Sequence, residues 1–207
     1  IAQVMKGHPL AIKLTSALVT IRSLCGIRDD LIKNPPNGVS QSFDVSFEKL
    51  TEGEKDLFRH LAIFSRSMTK DAIEQICLVE SQDVSPNWRI DLGELVRKSF
   101  LDRIEILAQE ELEEVLLYRY RLHPIMRQYA ATKAGDDLIE ILRLRFSDYF
   151  LKFTQRNKKF NIIEMELDNI LAGIYWAYSR GDWKIVREYA WAVDTHLATG
   201  GYWKDRK

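Results

Sequence analysis

The sequence lacks the features that distinguish disulfide-rich, nucleic-acid-binding and membrane proteins from ordinary globular proteins. Its 207 residues include two cysteines, Cys25 and Cys77, which lie far apart on apolar helical patterns and exclude a disulfide framework. Both predict small buried side chains in a reducing compartment, so we expect a cytoplasmic protein. The formal net charge is zero, which excludes a bulk basic field that would hold nucleic acid. No apolar run approaches the roughly 20 residues of a membrane span, so we expect no membrane partner.

Catalytic and metal-binding motifs are also absent. The patterns HExxH, CxxC and GxSxG do not occur, and paired carboxylates such as Asp29-Asp30 fall in predicted turns and caps. We therefore expect no enzyme, no catalytic residue and no metal site. The histidines are dispersed along the chain, at His8, His60, His123 and His196.

The chain divides into four predicted segments. Residues 1–33 open on the apolar pattern IAQVMKG, break at the Gly7-His8-Pro9-Leu10 turn and continue as an amphipathic helix. Because IAQVMKG begins inside an apolar pattern, we expect the chain to be part of a longer protein. Residues 34–38, NPPNG, predict a linker. Residues 39–135 predict a compact domain, and residues 136–207 predict further helices.

The compact domain has the element order of a winged helix, which is several helices followed by a β-hairpin. A short helix carries Phe43 and Phe47, and a capping box at Thr51 opens the next one. Thr69 and Asp91 predict the N-caps of a third and a fourth helix. Strands are predicted over 101–107 and 115–122, joined by the acidic tip 109–111.

The stretch RYRLHPIMRQYA leads from this hairpin into another helix. Apolar residues, Tyr118, Tyr120 and Leu122, alternate with two arginines, which is typical of a half-buried strand. His123 then predicts the N-cap and Pro124 the first helical position. An imidazole beside unpaired backbone N–H groups suits an anion such as phosphate. A capping histidine is also a common local hydrogen-bond partner, and the spacing does not separate these alternatives.

Residues 136–207 predict antiparallel helices joined by short turns, the pattern of an α-solenoid with tetratricopeptide-like (TPR-like) repeats. Asp136 or Asp137 predicts the cap of the first helix and Asp182 the cap of the third. About one and a half repeats are too few to be stable alone. We therefore expect them to pack on the winged helix or to continue in the full protein. The fold class is mainly α, with a small β-hairpin in the winged helix.

Several of these stretches, in this order, resemble the C-terminal part of an NB-ARC signalling ATPase of the STAND class, as found in bacterial regulators with TPR-like repeats. Gly7 to Ala11 resembles its GxPLA motif, and SFEKL with FRHLAIF resembles the opening of its winged helix. Leu122-His123-Pro124 falls where the family has Met-His-Asp, with Pro124 in place of the aspartate, and RQYA continues it. ELDNI, followed by Trp176-Ala177 and Gly181-Asp182-Trp183, is similar to the first repeat helices.

The resemblance implies a regulatory piece of a nucleotide-dependent switch. Residues 1–33 would end a helical ARC subdomain, and the phosphate-binding domain would lie upstream of Ile1, because neither GxxxxGKS nor GxxxxGKT occurs. His123 would contact the β-phosphate of ADP and Pro9 the adenine side, with most contacts to ADP or ATP made by the upstream domain. The implied partners are that domain and a protein or small-molecule inducer bound by the repeats. The parent would be a slow ATPase.

Two other functions stay open. A DNA-binding winged helix would use the predicted fourth helix, with Arg97 and Lys98, and the Arg119/Arg121 face. The acidic hairpin tip would repel a phosphate backbone, so we expect no DNA binding. A helical-repeat interaction module would use aromatic residues that more commonly form packing between repeats. These aromatic residues are Trp176, Tyr178, Trp183, Tyr189, Trp191, Tyr202 and Trp203.

Overall fold

The computed structural model describes Pro9 and residues 39–78, 86–110 and 113–199. Pro9 is helical and exposed. The predictions for Cys25, for the linker 34–38, for Glu111 and for the segment 200–207 lie outside the described residues, as do those for the rest of the first 38 residues. The described part is mainly α-helical with one small antiparallel sheet, which confirms the predicted fold class.

The helices and strands follow the predicted winged-helix order and then continue as long helices. In chain order they are α1 (Val39–Phe47), α2 (Glu52–His60), a 3-10 turn (Leu61–Ile63), β1 (Ser67–Met68), α3 (Lys70–Ile73), a π-helical turn (Glu74–Leu78), α4 (Trp88–Arg97), β2 (Asp102–Glu110), β3 (Glu113–Arg121), α5 (Pro124–Ala134), α6 (Asp136–Arg156), α7 (Phe160–Ser179) and α8 (Trp183–Thr199).

Local capping explains where several helices begin. At α2 the Thr51 hydroxyl accepts from the Glu54 backbone at 3.3 Å, while the Glu54 carboxylate accepts from the Thr51 backbone at 2.9 Å, which is the predicted capping box. Thr69 caps α3 through the Ala72 N–H at 3.1 Å. Asp182 caps α8 through the Ile185 N–H at 3.2 Å. These three caps were predicted correctly.

Two predicted caps are wrong. Helix α4 begins three residues before Asp91, with Asn87 at the N-cap, and the buried Trp88 occupies its first position. At α6 the N-cap is Gly135, which is also the C-cap of α5 and has a φ of +77°. A backbone that joins two helices through one left-handed residue favours glycine, so Asp136 and Asp137 fall inside the first turn.

The sheet has the order β1-β3-β2, with both neighbours antiparallel to the central strand. Strands β2 and β3 pair from Asp102 opposite Arg121 to Glu110 opposite Glu113, so the hairpin is longer than predicted. Strand β1 was not predicted, because two residues carry no readable alternation. It places Ser67 opposite Arg121 and Met68 opposite Tyr120.

Burial along β3 differs from the predicted alternation. Tyr120 and Leu122 are buried, but Tyr118 is 43% exposed and Arg119 is only 4% exposed. Arg119 is buried because α7 covers that face of the strand, where Glu166 binds its guanidinium. Tyr118 stays exposed, and its ring lies 5.0 Å from the Arg103 guanidinium of the neighbouring strand.

One continuous core joins the winged helix to the helices that follow it. In the winged helix, Tyr129 lies 5.5 Å from Phe43 and 5.8 Å from Phe47, measured between ring centroids. Across the junction, Phe64 lies 5.7 Å from Phe146 of α6. The repeat segment therefore packs on the winged helix.

Two smaller findings bear on the sequence predictions. Cys77 is fully buried, and burial raises the pKa of its thiol, as expected for a structural side chain. Among the described helices, none combines the length and the apolar character of a membrane span.

Candidate functional site

His123 occupies the N-cap of α5, as predicted, at the point where the central strand ends. Its backbone is extended, with φ −59° and ψ 142°, and Pro124 follows at the first helical position. The Nδ1 atom of its ring accepts a hydrogen bond from the Ile125 backbone N–H at 3.3 Å. The side chain is exposed. The imidazole is therefore both the cap of the helix and part of the outer surface.

That capping bond fixes which nitrogen of the neutral ring carries the proton. A nitrogen that accepts from a backbone N–H cannot itself be protonated, so the proton of neutral His123 lies on Nε2. Nε2 has no hydrogen-bond partner among the described residues. The exposed edge of the ring is consequently a hydrogen-bond donor at the positive end of a helix dipole, which suits an anion.

The backbone N–H groups of α5 contribute less than the sequence suggested. The first turn of a helix has N–H groups without intrahelical partners. Here Pro124 has no N–H, the Ile125 N–H binds the imidazole, and Met126 is fully buried. The expected row of unpaired N–H groups beside His123 is therefore not available, and an anion would meet the imidazole and the helix dipole.

The helix that carries His123 is firmly held. Met126 and Ala130 are fully buried, and the Arg127 guanidinium donates to the Ser65 carbonyl. Further along, the Tyr129 hydroxyl and the Lys133 ammonium each lie 2.7 Å from Asp44 of α1. The bond from Lys133, together with that from Tyr129, lowers the pKa of Asp44. The position of the imidazole is therefore set by the domain core.

The other predicted contact, Pro9, is an exposed helical residue. Its neighbours in the sequence lie outside the described residues, so the structure does not place it relative to His123.

The remaining described histidines have local partners. His60 Nδ1 lies 2.7 Å from the Asp56 carbonyl oxygen. His196 Nε2 lies 3.1 Å from Glu164, and its ring stacks on Phe160 at 4.4 Å. Within the described ranges no group of His, Cys, Asp or Glu side chains could hold a metal ion.

Several of the cations that a DNA-binding winged helix would need are engaged with carboxylates. Lys98 is buried against Glu54, with Nζ 2.6 Å from both carboxylate oxygens. Arg97 binds Glu94 of the same helix, and Arg119 is buried inside the molecule. Arg103 and Arg121, at the base of the hairpin, are about half exposed and lie beside Glu105 and Asp102. The charge pattern offers little to a phosphate backbone.

The repeat aromatics separate into two groups. Tyr189 is fully buried, with its hydroxyl 2.5 Å from the Ser147 carbonyl oxygen, and Trp176 packs 4.7 Å from Phe146. Trp183 and Trp191 are 63% and 72% exposed. Tyr178 is 57% exposed, and Tyr175, which the sequence did not single out, is 66% exposed. The exposed tyrosines and Trp183 line a groove of about 550 Å³ between α7 and α8. Tyr202 and Trp203 lie outside the described residues.

Sequence reasoning missed the contacts between β3 and α7. Arg119 and Glu166 form an ion pair of 2.6 Å in which both side chains are 5% exposed. Asp168 and Asn169, from the same ELDNI motif, bind Arg66 and the Ser67 carbonyl oxygen. An arginine between two tyrosines of a strand was the available signal, but its partner lies 47 residues away.

Comparison with known proteins gives partial similarities. The chain is 38% identical to Disease resistance protein RPP2A of Arabidopsis thaliana over 68 residues, which is 31% of this chain and 5% of that protein. It is 28% identical to the protein named Putative HTH-type transcriptional regulator Rv0890c of Mycobacterium tuberculosis, over 96% of this chain and 25% of that protein. The protein named Putative HTH-type transcriptional regulator Mb0914c of Mycobacterium bovis matches equally. This chain thus spans about a quarter of the length of these mycobacterial relatives. No family model and no solved structure matches it.

Proposed function

We propose that the chain is the regulatory part of a nucleotide-dependent signalling switch of the STAND/NB-ARC class. The observation that carries the proposal is the geometry of His123, an exposed side chain whose Nδ1 accepts from the Ile125 N–H at the helix N-terminus, which leaves Nε2 as the donor of the neutral ring. The order of the motifs and the partial similarity to a plant disease resistance protein and to bacterial regulators support it.

In this proposal His123 senses the phosphate of ADP, which an upstream nucleotide-binding domain of the same chain holds. The residues present fit that role, because a neutral imidazole N–H and a helix dipole both favour an anion. Pro9 would contact the adenine side. The chain itself would be no enzyme and would work in the cytoplasm. The bond from Nε2 to the phosphate would stabilise the inactive arrangement, and loss of ADP would release the winged helix from the upstream domain.

Rigidity at His123 matters for such a sensor. A hydrogen bond reports on the presence of a phosphate only if its donor cannot follow the phosphate when it leaves. The buried face of α5 and the Arg127 bond to the Ser65 carbonyl restrict that movement. The whole winged helix would therefore move as one body when the contact is broken.

The repeats would supply the second input, an inducing protein or small molecule. The groove between α7 and α8 favours this, because the exposed rings of Tyr175, Tyr178 and Trp183 surround a cavity of about 550 Å³. Clefts of that size with apolar walls are typical of ligand sites or of grooves that accept a partner helix. An apolar dye, bis-ANS, should bind the 207-residue chain less well after Trp183→Ser, with Tyr118→Ser on the hairpin as the matched control.

The nucleotide part is tested by native mass spectrometry of the chain extended upstream by the nucleotide-binding domain. We expect ADP to be retained during purification and to be lost after His123→Ala. Arg103→Ala, an exposed substitution on β2, is the matched control and should retain ADP. Absence of nucleotide from every variant would contradict the proposal.

A further inference from the structure

A buried polar cluster joins the winged helix to the repeats. It consists of Ser67 of β1, Arg119 of β3, and Glu166 and Asn169 of α7, and we call it the clamp. Arg119 donates to Glu166 at 2.6 Å, to the Ser67 hydroxyl at 2.9 Å and to the Ser67 carbonyl oxygen at 3.1 Å. Asn169 donates to the same carbonyl at 2.9 Å and to Glu166 at 2.8 Å. Three elements therefore meet through directional bonds.

The clamp is not the arrangement expected of a cluster whose role is stability alone. Burying an ion pair has a desolvation cost that offsets much of its Coulomb energy, so apolar side chains of similar size often stabilise a fold equally well. The Oδ1 atom of Asn169 is buried and has no hydrogen-bond partner among the described residues. A cluster with an unsatisfied acceptor is not the arrangement that gives the greatest stability.

Stability at this junction comes instead from apolar contacts on α6. Phe146 lies 5.7 Å from Phe64 of the winged helix, and both rings are fully buried. Apolar packing is weakly directional, whereas the planar guanidinium of Arg119 fixes angles as well as distances. The rings therefore hold the repeats onto the winged helix, and the clamp sets how they are oriented.

The position of the clamp connects it to His123. Arg119 lies on β3, four residues before His123, which follows the end of that strand. Ser67 lies opposite Arg121, two residues before His123, in the β1–β3 pairing. A displacement of α7 therefore pulls on both strands beside the strand end that presents the imidazole.

We propose that the clamp fixes the orientation of the repeat segment on the winged helix and transmits displacement of α7 to the end of β3. The functional consequence of transmitting this displacement to the end of β3 rests on the proposed phosphate contact of His123. A ligand or partner that moves α7 relative to β3 would open the clamp.

The first test measures orientation, with spin labels on Ile90→Cys of α4 and Lys184→Cys of α8 in a Cys25→Ser background of the 207-residue chain. Cys77 stays, because it is fully buried. The double variant Arg119→Met/Glu166→Met should keep its thermal midpoint within a few degrees, yet its distance distribution should broaden about twofold. The control is the double variant Arg66→Ala/Asp168→Ala, which removes an exposed ion pair. Its distance distribution should stay as narrow as that of the unaltered chain.

A conservative variant keeps the test decisive if the double variant fails to fold. Arg119→Lys retains the charge beside Glu166 but lacks the fork that reaches both Ser67 oxygens, so it too should broaden the distribution. A distribution as narrow as that of the unaltered chain, in whichever of these variants folds, would overturn the orienting role.

The second test reads the strand end directly. Amide exchange of Ile125, whose N–H binds His123 Nδ1, should accelerate about tenfold in Arg119→Lys and stay unchanged in the Arg66/Asp168 variant. A broadened distance distribution with unchanged Ile125 exchange would overturn the transmission to His123. Neither readout requires nucleotide, so failure of the phosphate contact would be seen separately.

Discussion

Lys98 Nζ lies 2.6 Å from both carboxylate oxygens of Glu54, and the two side chains are 8% and 3% exposed. The same carboxylate closes the capping box of α2 by accepting from the Thr51 backbone at 2.9 Å. One side chain thus caps α2 and neutralises a lysine that α4 brings into the interior. A residue that the sequence suggested for DNA contact is in fact a structural element of the core.

Glu54→Ala is expected to destabilise the chain strongly. It leaves the Lys98 ammonium buried without a partner, and breaking a buried pair in this way costs about 3–5 kcal/mol. Urea unfolding followed by circular dichroism measures this difference. Thr51→Ala is the matched control, because it removes only the cap and should cost about 1 kcal/mol. Equal losses in the two variants would contradict the role given to Lys98.

Gly173 of α7 should not tolerate a methyl group, whereas Gly93 of α4 should. A Cβ at Gly173 would lie 2.4 Å from the Tyr189 hydroxyl, while one at Gly93 would meet nothing within 4 Å. Overpacking costs about 1–3 kcal/mol, and alanine in an open helix position gains up to about 1 kcal/mol over glycine. We expect Gly173→Ala to lower the thermal midpoint and Gly93→Ala to raise it.

A double variant isolates the cause at Gly173. Tyr189→Phe removes the hydroxyl that the new methyl group would meet, so Gly173→Ala should be tolerated better in that background. If the two changes are strictly additive, the close approach of Gly173 to Tyr189 is not what limits this position.

The sequence alone predicts the local features of this fold better than those that depend on distant residues. The capping box at Thr51, the caps at Thr69 and Asp182, and the His123-Pro124 helix start depend on neighbours within a turn, so they were predictable. The burial of Arg119 depends on Glu166, 47 residues away, and reverses the local alternation. Strand β1 owes its existence to pairing with β3, and two residues carry no pattern of their own.

Alkaline pH should destabilise the chain through three buried or partly buried tyrosines. Burial, together with hydrogen bonds to Asp44 and Asp71, raises the pKa of Tyr129 and Tyr149 above the ordinary 10.0. Burial likewise raises the pKa of Tyr189. The folded state disfavours ionisation of these tyrosines. Their contribution to the free energy of unfolding is therefore fully present below the pKa that tyrosine has in the unfolded chain, and it is lost as the pH rises above that value.

Phenolate absorbance and urea midpoints between about pH 8 and about pH 11 measure this effect. Of the eight tyrosines, these three should ionise only as the chain unfolds. Tyr149→Phe should reduce the loss of stability with rising pH. Ionisation of all eight while circular dichroism stays native would be inconsistent with the observed burial.

The chain should not bind duplex DNA with useful affinity. Lys98 and Arg119 are buried in ion pairs, and the hairpin tip is acidic in sequence. Fluorescence anisotropy with a labelled random duplex at low salt tests this expectation. The charge reversal Glu113→Lys/Glu114→Lys should increase binding and introduce a salt dependence of about 0.9 per added phosphate contact. Tight, strongly salt-dependent binding by the unaltered chain would instead favour the DNA-binding alternative.

In the proposed switch, His123 has two separable roles, a helix cap through Nδ1 and a phosphate donor through Nε2. His123→Asn separates them, because asparagine is a good N-cap but cannot place a donor where Nε2 lies. His123→Asp also caps the helix and adds a negative charge facing the phosphate.

The most direct measurement is therefore the release rate of a fluorescent ADP analogue from the chain extended upstream by its nucleotide-binding domain. We expect release about tenfold faster or more in His123→Asn, because a hydrogen bond to a charged group contributes about 1.5–3 kcal/mol. We expect still faster release in His123→Asp, with the melting temperature of both variants close to that of the unaltered protein. Unchanged release rates in both stably folded variants would contradict the assignment of His123 as the phosphate sensor.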